Sequence, residues 1–124
     1  MYKVTVKHHF SSAHFLRGYK GKCENLHGHN WIVEAILGGE KLDSTGMLFD
    51  FSSLKKSLIK ILDEIDHTIL NEHPEFKKEN PSAERIAKFV FDKLSKTIRK
   101  KGIQVVSVRV YENDSSCAEY APDE

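Results

Sequence analysis

Hydrophobic and polar positions alternate near both ends of the chain and recur at helical spacing in its middle. Alternation over residues 2–10, 29–37 and 103–111 predicts three strands, because successive side chains of a strand point to opposite faces. Between the second and third strands, apolar residues three and four positions apart predict two helices. Their buried stripes are Leu54, Leu58, Ile61, Leu62 and Ile65 in the first helix, and Ile86, Phe89, Val90, Leu94 and Ile98 in the second.

Polar residues ahead of each stripe predict where the helices begin. Asp50 or Ser52 is the expected N-cap of the first helix. Asn80 is the expected N-cap of the second helix, with Pro81 as its first residue, since proline suits that position.

The order strand, strand, helix, helix, strand predicts an α+β fold with a largely antiparallel sheet. Segments 46–51 and 115–120 are candidates for short additional strands. The absence of repeats and linkers predicts a single domain over residues 1–124. A small sheet covered on one face leaves its other face and its edges open, which predicts oligomerisation through the sheet.

Composition narrows the functional classes. The chain has 124 residues, of which 40% are hydrophobic and 30% charged, values typical of a globular protein. A formal net charge of +1 gives no overall attraction to nucleic acid or to membranes. We expect a cytoplasmic protein, because the first ten residues alternate like a strand and carry no secretory hydrophobic core. Cys23 and Cys117 are accordingly expected to be free thiols.

Three histidines form the strongest chemical pattern. His27 and His29, in the segment "CENLHGHN", are two apart at the start of a strand and leave it from the same face. Such a pair alone is more often a polar strand end, but His14 lies just beyond the end of the first strand and adds a third imidazole. Three protein ligands with one open position are typical of a catalytic zinc site. His8 and His9 compete as third ligands, although they are expected to pair across the strand or face solvent.

Cys23 precedes His27 by four positions and has three interpretations. It is a fourth ligand that closes the metal site, a thiolate beside a cation that acts as base or nucleophile, or a buried inert thiol. Arg17, Lys20 and Lys22 form a basic loop nearby, which is weak support for phosphate binding because surface loops are commonly rich in lysine.

Two further positions carry carboxylates. Asp66 directly precedes His67, and a carboxylate can hold an imidazole in the tautomer needed for proton transfer. Adjacent residues on a helix do not face each other, so this pairing requires the helix to end near Asp66; the alternative is a histidine that only stabilises a helix end. Glu112 ends the last strand, where it is either solvated or accepts two hydrogen bonds from an amidine-like ring edge.

Six segments, in this order, resemble the superfamily of 6-pyruvoyl-tetrahydropterin and 6-carboxy-tetrahydropterin synthases: "FSSAH", "CENLHGHN", "GMLFDF", "IDHTILN", "NPSAE" and "YEN". The resemblance covers nearly the whole chain, from Phe10 to about Tyr120. It implies the tunnelling fold, in which four antiparallel strands carry two helices on one face. The sheets then join into trimeric barrels that stack as a homohexamer, with active sites at subunit boundaries.

The resemblance also implies roles for eight residues: zinc ligands at His14, His27 and His29, catalytic groups at Cys23, Asp66 and His67, and pterin contacts at Glu112 and Ser82. Three residues separate the cysteine from the H-G-H segment, as in the bacterial and archaeal enzymes of queuosine and archaeosine precursor synthesis. The pyruvoyl-forming animal enzymes have a longer gap.

The implied reaction is a zinc-dependent conversion of 7,8-dihydroneopterin triphosphate to 6-carboxy-5,6,7,8-tetrahydropterin, with release of acetaldehyde and triphosphate. Two alternatives stay open. The first is a 6-pyruvoyl-tetrahydropterin synthase, which eliminates only triphosphate. The second is a zinc-stabilised pterin-binding protein without turnover.

Overall fold

Four antiparallel strands form one sheet, with neighbours in chain order, in a computed structural model that describes residues 1–19, 21 and 24–123. Within those residues, no helix is long and apolar enough to cross a membrane. The elements are β1 (Tyr2–His14), β2 (His27–Gly39), α1 (Phe51–Asp63), α2 (Ala83–Thr97), β3 (Ile103–Asn113) and β4 (Ser116–Tyr120), with short 3-10 helices at Leu70–Glu72 and Pro74–Phe76. This confirms the predicted α+β class and the antiparallel sheet.

The two candidate short strands have different outcomes. Segment 115–120 contains β4, which pairs with β3 and completes the sheet. Segment 46–51 forms no strand. There the Asp43 carboxylate accepts hydrogen bonds from the Thr45 and Met47 N–H groups, at 2.8 and 3.1 Å, and folds the chain into a turn before α1.

Side-chain caps begin both helices, and one of them differs from the prediction. Asp50, one of the two predicted caps, begins α1, since its carboxylate accepts from the backbone N–H three residues later. The cap of α2 is Ser82, whose Oγ accepts from the Arg85 N–H at 3.3 Å. The prediction that Asn80 caps this helix and that Pro81 begins it was therefore wrong, because the Asn80 carboxamide bonds elsewhere.

The core lies between one face of the sheet and both helices, as predicted. Burying each large apolar side chain in such a core contributes about 1.5–3 kcal/mol. The fully buried members include Phe10, Trp31, Val33 and Leu37 from the sheet, Leu54, Leu58 and Leu62 from α1, and Ile86, Val90 and Leu94 from α2.

A β-bulge interrupts the alternation of β3. The pairing of β2 with β3 shifts by one residue, so that Val106 has no partner in the register. Val105 and Val108 consequently both belong to the core, whereas an unbroken alternation over 103–111 placed them on opposite faces. The sequence pattern gave no signal for this extra residue, because every valine suits a strand.

In the described part of the chain, main-chain hydrogen bonds cover the outer edge of β1 near its carboxyl end. There Ala13 N–H donates to the Thr68 carbonyl at 3.1 Å, and His67 N–H donates to the Ser11 carbonyl at 2.6 Å. The segment after α1 therefore lies along the end of β1. β1 and β4 are the edge strands of the sheet formed by the described residues.

Candidate functional site

The structure brings together the three histidines predicted as metal ligands. His14 is the last residue of β1 and pairs directly with His27, the first residue of β2. His29 follows on the same face of β2, because side chains alternate along a strand. One nitrogen of each ring lies within 4.8 Å of the other two, so this cluster could hold a metal ion.

Hydrogen bonds fix the ring tautomers in favour of metal binding. His14 Nδ1 lies 2.8 Å from the Pro81 carbonyl, and His27 Nδ1 lies 2.7 Å from the Asn25 carbonyl. A carbonyl only accepts, so each Nδ1 carries the proton and leaves Nε2 with a lone pair.

The interior of the cluster contains polar atoms that need a partner. Nε2 of His14 and Nε2 of His29 are buried without a hydrogen-bond partner among the described residues. Buried polar atoms are normally satisfied, and a cation between the rings would satisfy both. Three neutral imidazoles are a ligand set that suits zinc. The residues thus fit the predicted ion.

Burial favours the neutral form of two of the three imidazoles, those of His14 and His29. It is the largest influence on both His14 and His29, and it lowers the pKa of each. Only the neutral ring binds a metal, so the environment favours the binding form. The Glu112 carboxylate acts in the opposite direction on both pKa values, which places its charge close enough to the cluster to be felt.

Trp31 forms the floor of the cluster. Its side chain is fully buried, and its ring centre lies 4.9 Å from the rings of both His14 and His29. The indole N–H donates to the Ser12 carbonyl at 3.2 Å, which fixes the ring. The cluster therefore rests on a rigid apolar surface that excludes water from that side.

The alternative ligands lie outside the cluster. The rings of His8 and His9 contact each other, with centres 4.9 Å apart, and neither belongs to the group that could bind a metal. His9 is exposed, in agreement with its predicted position facing solvent.

Asp66 and His67 form the predicted pair because α1 ends before them. The helix stops at Asp63, and His67 takes a left-handed conformation with φ of 56°. His67 Nδ1 then lies 2.9 Å from Asp66 Oδ1. A non-glycine residue in this region costs about 1–3 kcal/mol, a strain that clusters at functional sites. With Nδ1 directed to the carboxylate and the side chain 79% exposed, Nε2 is free to exchange a proton.

The backbone of β1 holds this pair in place. Ser11 N–H donates to Asp66 Oδ1 at 2.8 Å, and this bond is the main reason that the pKa of the Asp66 carboxyl is lowered, with His67 adding to the effect. A lowered folded-state pKa means that the carboxylate stabilises the fold above the unfolded value of 3.8. That contribution is lost as the pH falls through the folded-state pKa.

Asp66→Asn is therefore expected to reduce the free energy of unfolding at neutral pH and to lose this effect in acid. The asparagine keeps an oxygen for the Ser11 N–H but has no charge. Urea unfolding across the acid range measures the gap between the two proteins, with Asp63→Asn as the control for loss of an exposed carboxylate. A gap that stays constant as the pH falls below 3.8 would contradict the assignment.

Of the remaining predicted residues, the structure describes some and not others. Ser82 caps α2 directly after Pro81, whose carbonyl orients His14. Cys23 lies outside the described residues, as do Lys20 and Lys22 of the basic loop.

Two other predictions from sequence concern Arg17 and Cys117. The Arg17 guanidinium lies 3.4 Å from the carbonyls of Glu79 and Asn71, so it is directed at the protein's own main chain and not at an open anion site. Cys117 is an exposed free thiol, as predicted.

Sequence reasoning missed the groups that orient the ligands. The acceptors for His14 and His27 are main-chain carbonyls, of Pro81 and Asn25, which any residue carries. No sequence signal could have identified them. Trp31 offered a signal, since it lies two residues beyond His29 and thus on the same face of β2.

Comparison with known proteins places the chain in a family. The sequence model described as 6-pyruvoyl tetrahydropterin synthase matches residues 3–123. An Archaeoglobus fulgidus protein, described provisionally as a 6-carboxy-5,6,7,8-tetrahydropterin synthase, is 38% identical over 94% of this chain and 92% of its own length. The 6-carboxy-5,6,7,8-tetrahydropterin synthase of Bacillus subtilis is 35% identical over 92% and 81%. The structure of Caenorhabditis elegans 6-pyruvoyl tetrahydropterin synthase superposes with a TM-score of 0.85, at 30% identity over 99% and 98% of the two chains. The chain belongs to the 6-pyruvoyl tetrahydropterin synthase family.

Proposed function

We propose that this protein is a zinc-dependent lyase that converts 7,8-dihydroneopterin triphosphate to 6-carboxy-5,6,7,8-tetrahydropterin, consuming water and releasing acetaldehyde and triphosphate. The observation that carries the proposal is the three-histidine cluster, in which Nε2 of His14 and of His29 has no hydrogen-bond partner among residues 1–19, 21 and 24–123. Relatives with the corresponding name support this product within the family.

Zinc would be held by His14, His27 and His29, the ligand set that the cluster offers. Three protein ligands leave one position open, as in catalytic sites. When bound there, zinc supplies Lewis acidity, which makes the hydroxyl groups of the substrate side chain and the adjacent C–H bonds easier to deprotonate.

In this proposal, Cys23 and His67 transfer the protons. The Cys23 thiolate removes a proton from the substrate side chain, a role that rests on its place four residues before His27. His67 exchanges a proton through Nε2, because Asp66 holds its Nδ1–H. Loss of triphosphate, addition of water and cleavage of the carbon–carbon bond then leave the carboxyl group on the ring and release acetaldehyde.

Glu112 and Ser82 would hold the pterin ring. A carboxylate can accept two parallel hydrogen bonds from the N–H edge of the ring, and Glu112 lies close enough to influence the histidines. Ser82 Oγ accepts from the Arg85 N–H, which leaves its own O–H free to donate to a ring atom.

The assembly in the proposal is a homohexamer of two barrel-shaped trimers. In each barrel, the edge strands β1 and β4 of neighbouring copies would pair, which removes the open edges of the isolated sheet. The exposed His67 lies along the outer edge of β1. Closure of the barrel would therefore place it at a subunit boundary.

The alternatives differ in what they require of these residues. A pterin-binding protein without turnover has no need of a strained histidine held against a carboxylate, so the Asp66–His67 contact favours an enzyme. A 6-pyruvoyl-tetrahydropterin synthase would use the same residues and differs only in its product.

The zinc-loaded protein is expected to release acetaldehyde from 7,8-dihydroneopterin triphosphate, in equal amount to the carboxy-pterin. Cys23→Ala should lose this activity because the proton acceptor is removed, whereas Cys117→Ala, which changes the exposed thiol of β4, should keep it. Acetaldehyde is trapped enzymatically and the pterin is identified by mass spectrometry. A pyruvoyl product without acetaldehyde would establish the second enzyme, and zinc-loaded protein without turnover would establish the binding protein.

A further inference from the structure

Two asparagine side chains each pair with the main chain of one residue just after His14. Asn71 Oδ1 accepts from the Phe15 N–H at 3.0 Å, and Asn71 Nδ2 donates to the Phe15 carbonyl at 2.9 Å. Asn80 makes the same two bonds with Arg17, at 2.9 and 3.0 Å. Each carboxamide thus forms a clamp, meaning two hydrogen bonds to the N–H and the carbonyl of one residue. Two residues on neighbouring antiparallel strands make the same reciprocal pair of bonds.

These bonds continue the outer edge of β1 beyond its last residue. Ser11 and Ala13 already bond through their main chains to residues 66–68 on that edge. Phe15 and Arg17 follow at intervals of two, Phe15 directly after the strand and Arg17 in a turn. The segment between α1 and α2 therefore bonds to alternate residues from Ser11 to Arg17.

The second of these clamps adjoins the group that orients a metal ligand. Pro81 follows Asn80 in the chain, and its carbonyl accepts the His14 Nδ1–H at 2.8 Å. Two consecutive residues thus hold the imidazole of His14 and the main chain at Arg17. Any shift of Asn80 would be passed to Pro81 and from there to the metal-facing Nε2. Loss of such an outer hydrogen bond typically lowers metal affinity about 10–100-fold.

Burial of the first clamp shows that its amide is held tightly. Asn71 is only 5% exposed, and both ends of its carboxamide are used. A buried amide gains little for folding compared with an apolar side chain of similar size. What the carboxamide provides, and an apolar side chain cannot, is a fixed position for the Phe15 main chain beside His14.

We propose that Asn71 and Asn80 are positioning residues for the metal centre. They fix the main chain that leaves His14, so that its Nε2 stays directed at the other two imidazoles. This inference rests on the three-histidine site. From the proposed function it takes only that the bound ion is zinc.

Asn80→Ala is expected to weaken zinc binding about 10-fold and to shift the visible bands of the Co²⁺-loaded protein. The substitution frees the main chain beside Pro81, and disturbing the carbonyl that orients a ligating histidine costs about 10–100-fold in affinity, of which this indirect change should show the low end. Asn71→Ala should act in the same direction by about threefold, since it does not adjoin Pro81. Affinity is measured by competition with a chromophoric chelator, and circular dichroism verifies folding. The control for a general loss of stability is Val105→Ala. Val105 is a core residue of β3 that pairs with Leu37, near the end of β2 that is far from His27.

Unchanged zinc affinity and Co²⁺ bands in both asparagine variants would overturn the proposal and leave the clamps as supports of the fold. If Asn80→Ala does not fold, Asn80→Asp gives the same comparison, because it keeps the acceptor for the Arg17 N–H and loses the donor. Neither readout needs turnover. A failed pterin assay would reject the proposed function alone, while normal metal binding by the variants of an active enzyme would reject this inference alone.

Discussion

Replacing His29 by alanine is expected to weaken zinc binding at least about 100-fold and to abolish turnover. A four-ligand structural zinc site is worth about 10–16 kcal/mol, so one ligand accounts for about 3 kcal/mol, or two decades in affinity. The loss removes one of two histidine Nε2 atoms that are buried without a hydrogen-bond partner in the described part of the chain. Zinc affinity is measured by chelator competition, and turnover by release of acetaldehyde.

His9→Ala is the matched control, because this histidine is exposed on the neighbouring strand and lies outside the cluster. It should bind zinc as tightly as the parent protein. Equal zinc affinity in His29→Ala would remove the basis of the metal site.

Chelation of zinc from the parent protein tests the role of Cys23 separately. A catalytic site leaves the folded core intact without zinc, whereas a closed structural site with Cys23 as fourth ligand would unfold.

Local signals predicted the start of each helix only to within two residues. Asp50 or Ser52 was expected to cap α1, and Asp50 is the cap. Asn80 was expected to cap α2, but Ser82, an equally good cap two residues later, takes that position. Tertiary contact decided between them, since the Asn80 carboxamide is used by Arg17 from a distant part of the chain. The same limit applies to Val106, whose bulge depends on pairing with β2.

In the site, the positions of the histidines were easier to predict than the groups that orient them. His27 and His29 converge because of the two-residue period of a strand, which the sequence displays directly. His14 was expected just beyond the first strand, and it is instead the last residue of β1, paired with His27. The carbonyls of Pro81 and Asn25 have no signature in sequence, so the gathering of the three histidines was predictable and the orientation of their rings was not.

Mixing two inactive variants, Cys23→Ala and His67→Ala, is expected to restore activity. The physical reason is the position of His67, which is 79% exposed along the outer edge of an edge strand. If neighbouring sheets join at their edges, His67 of one copy completes the site that holds Cys23 of the next. In a random equal mixture, about a quarter of the boundaries carry both intact residues, so about a quarter of the parent activity should return.

The control mixture combines Cys23→Ala with His14→Ala. These two residues act from the same chain in the proposal, so no boundary in that mixture has a complete site and no activity should return. The variants are dissociated, mixed and reassembled, and assembly is verified by size-exclusion chromatography with light scattering. Recovery in neither mixture, from particles of normal size, would show that each chain supplies Cys23 and His67 to the same site. The exposure of His67 at the edge of the sheet would then need a different explanation. In the proposed assembly, a neighbouring copy covers this side chain and excludes water from the site of proton transfer.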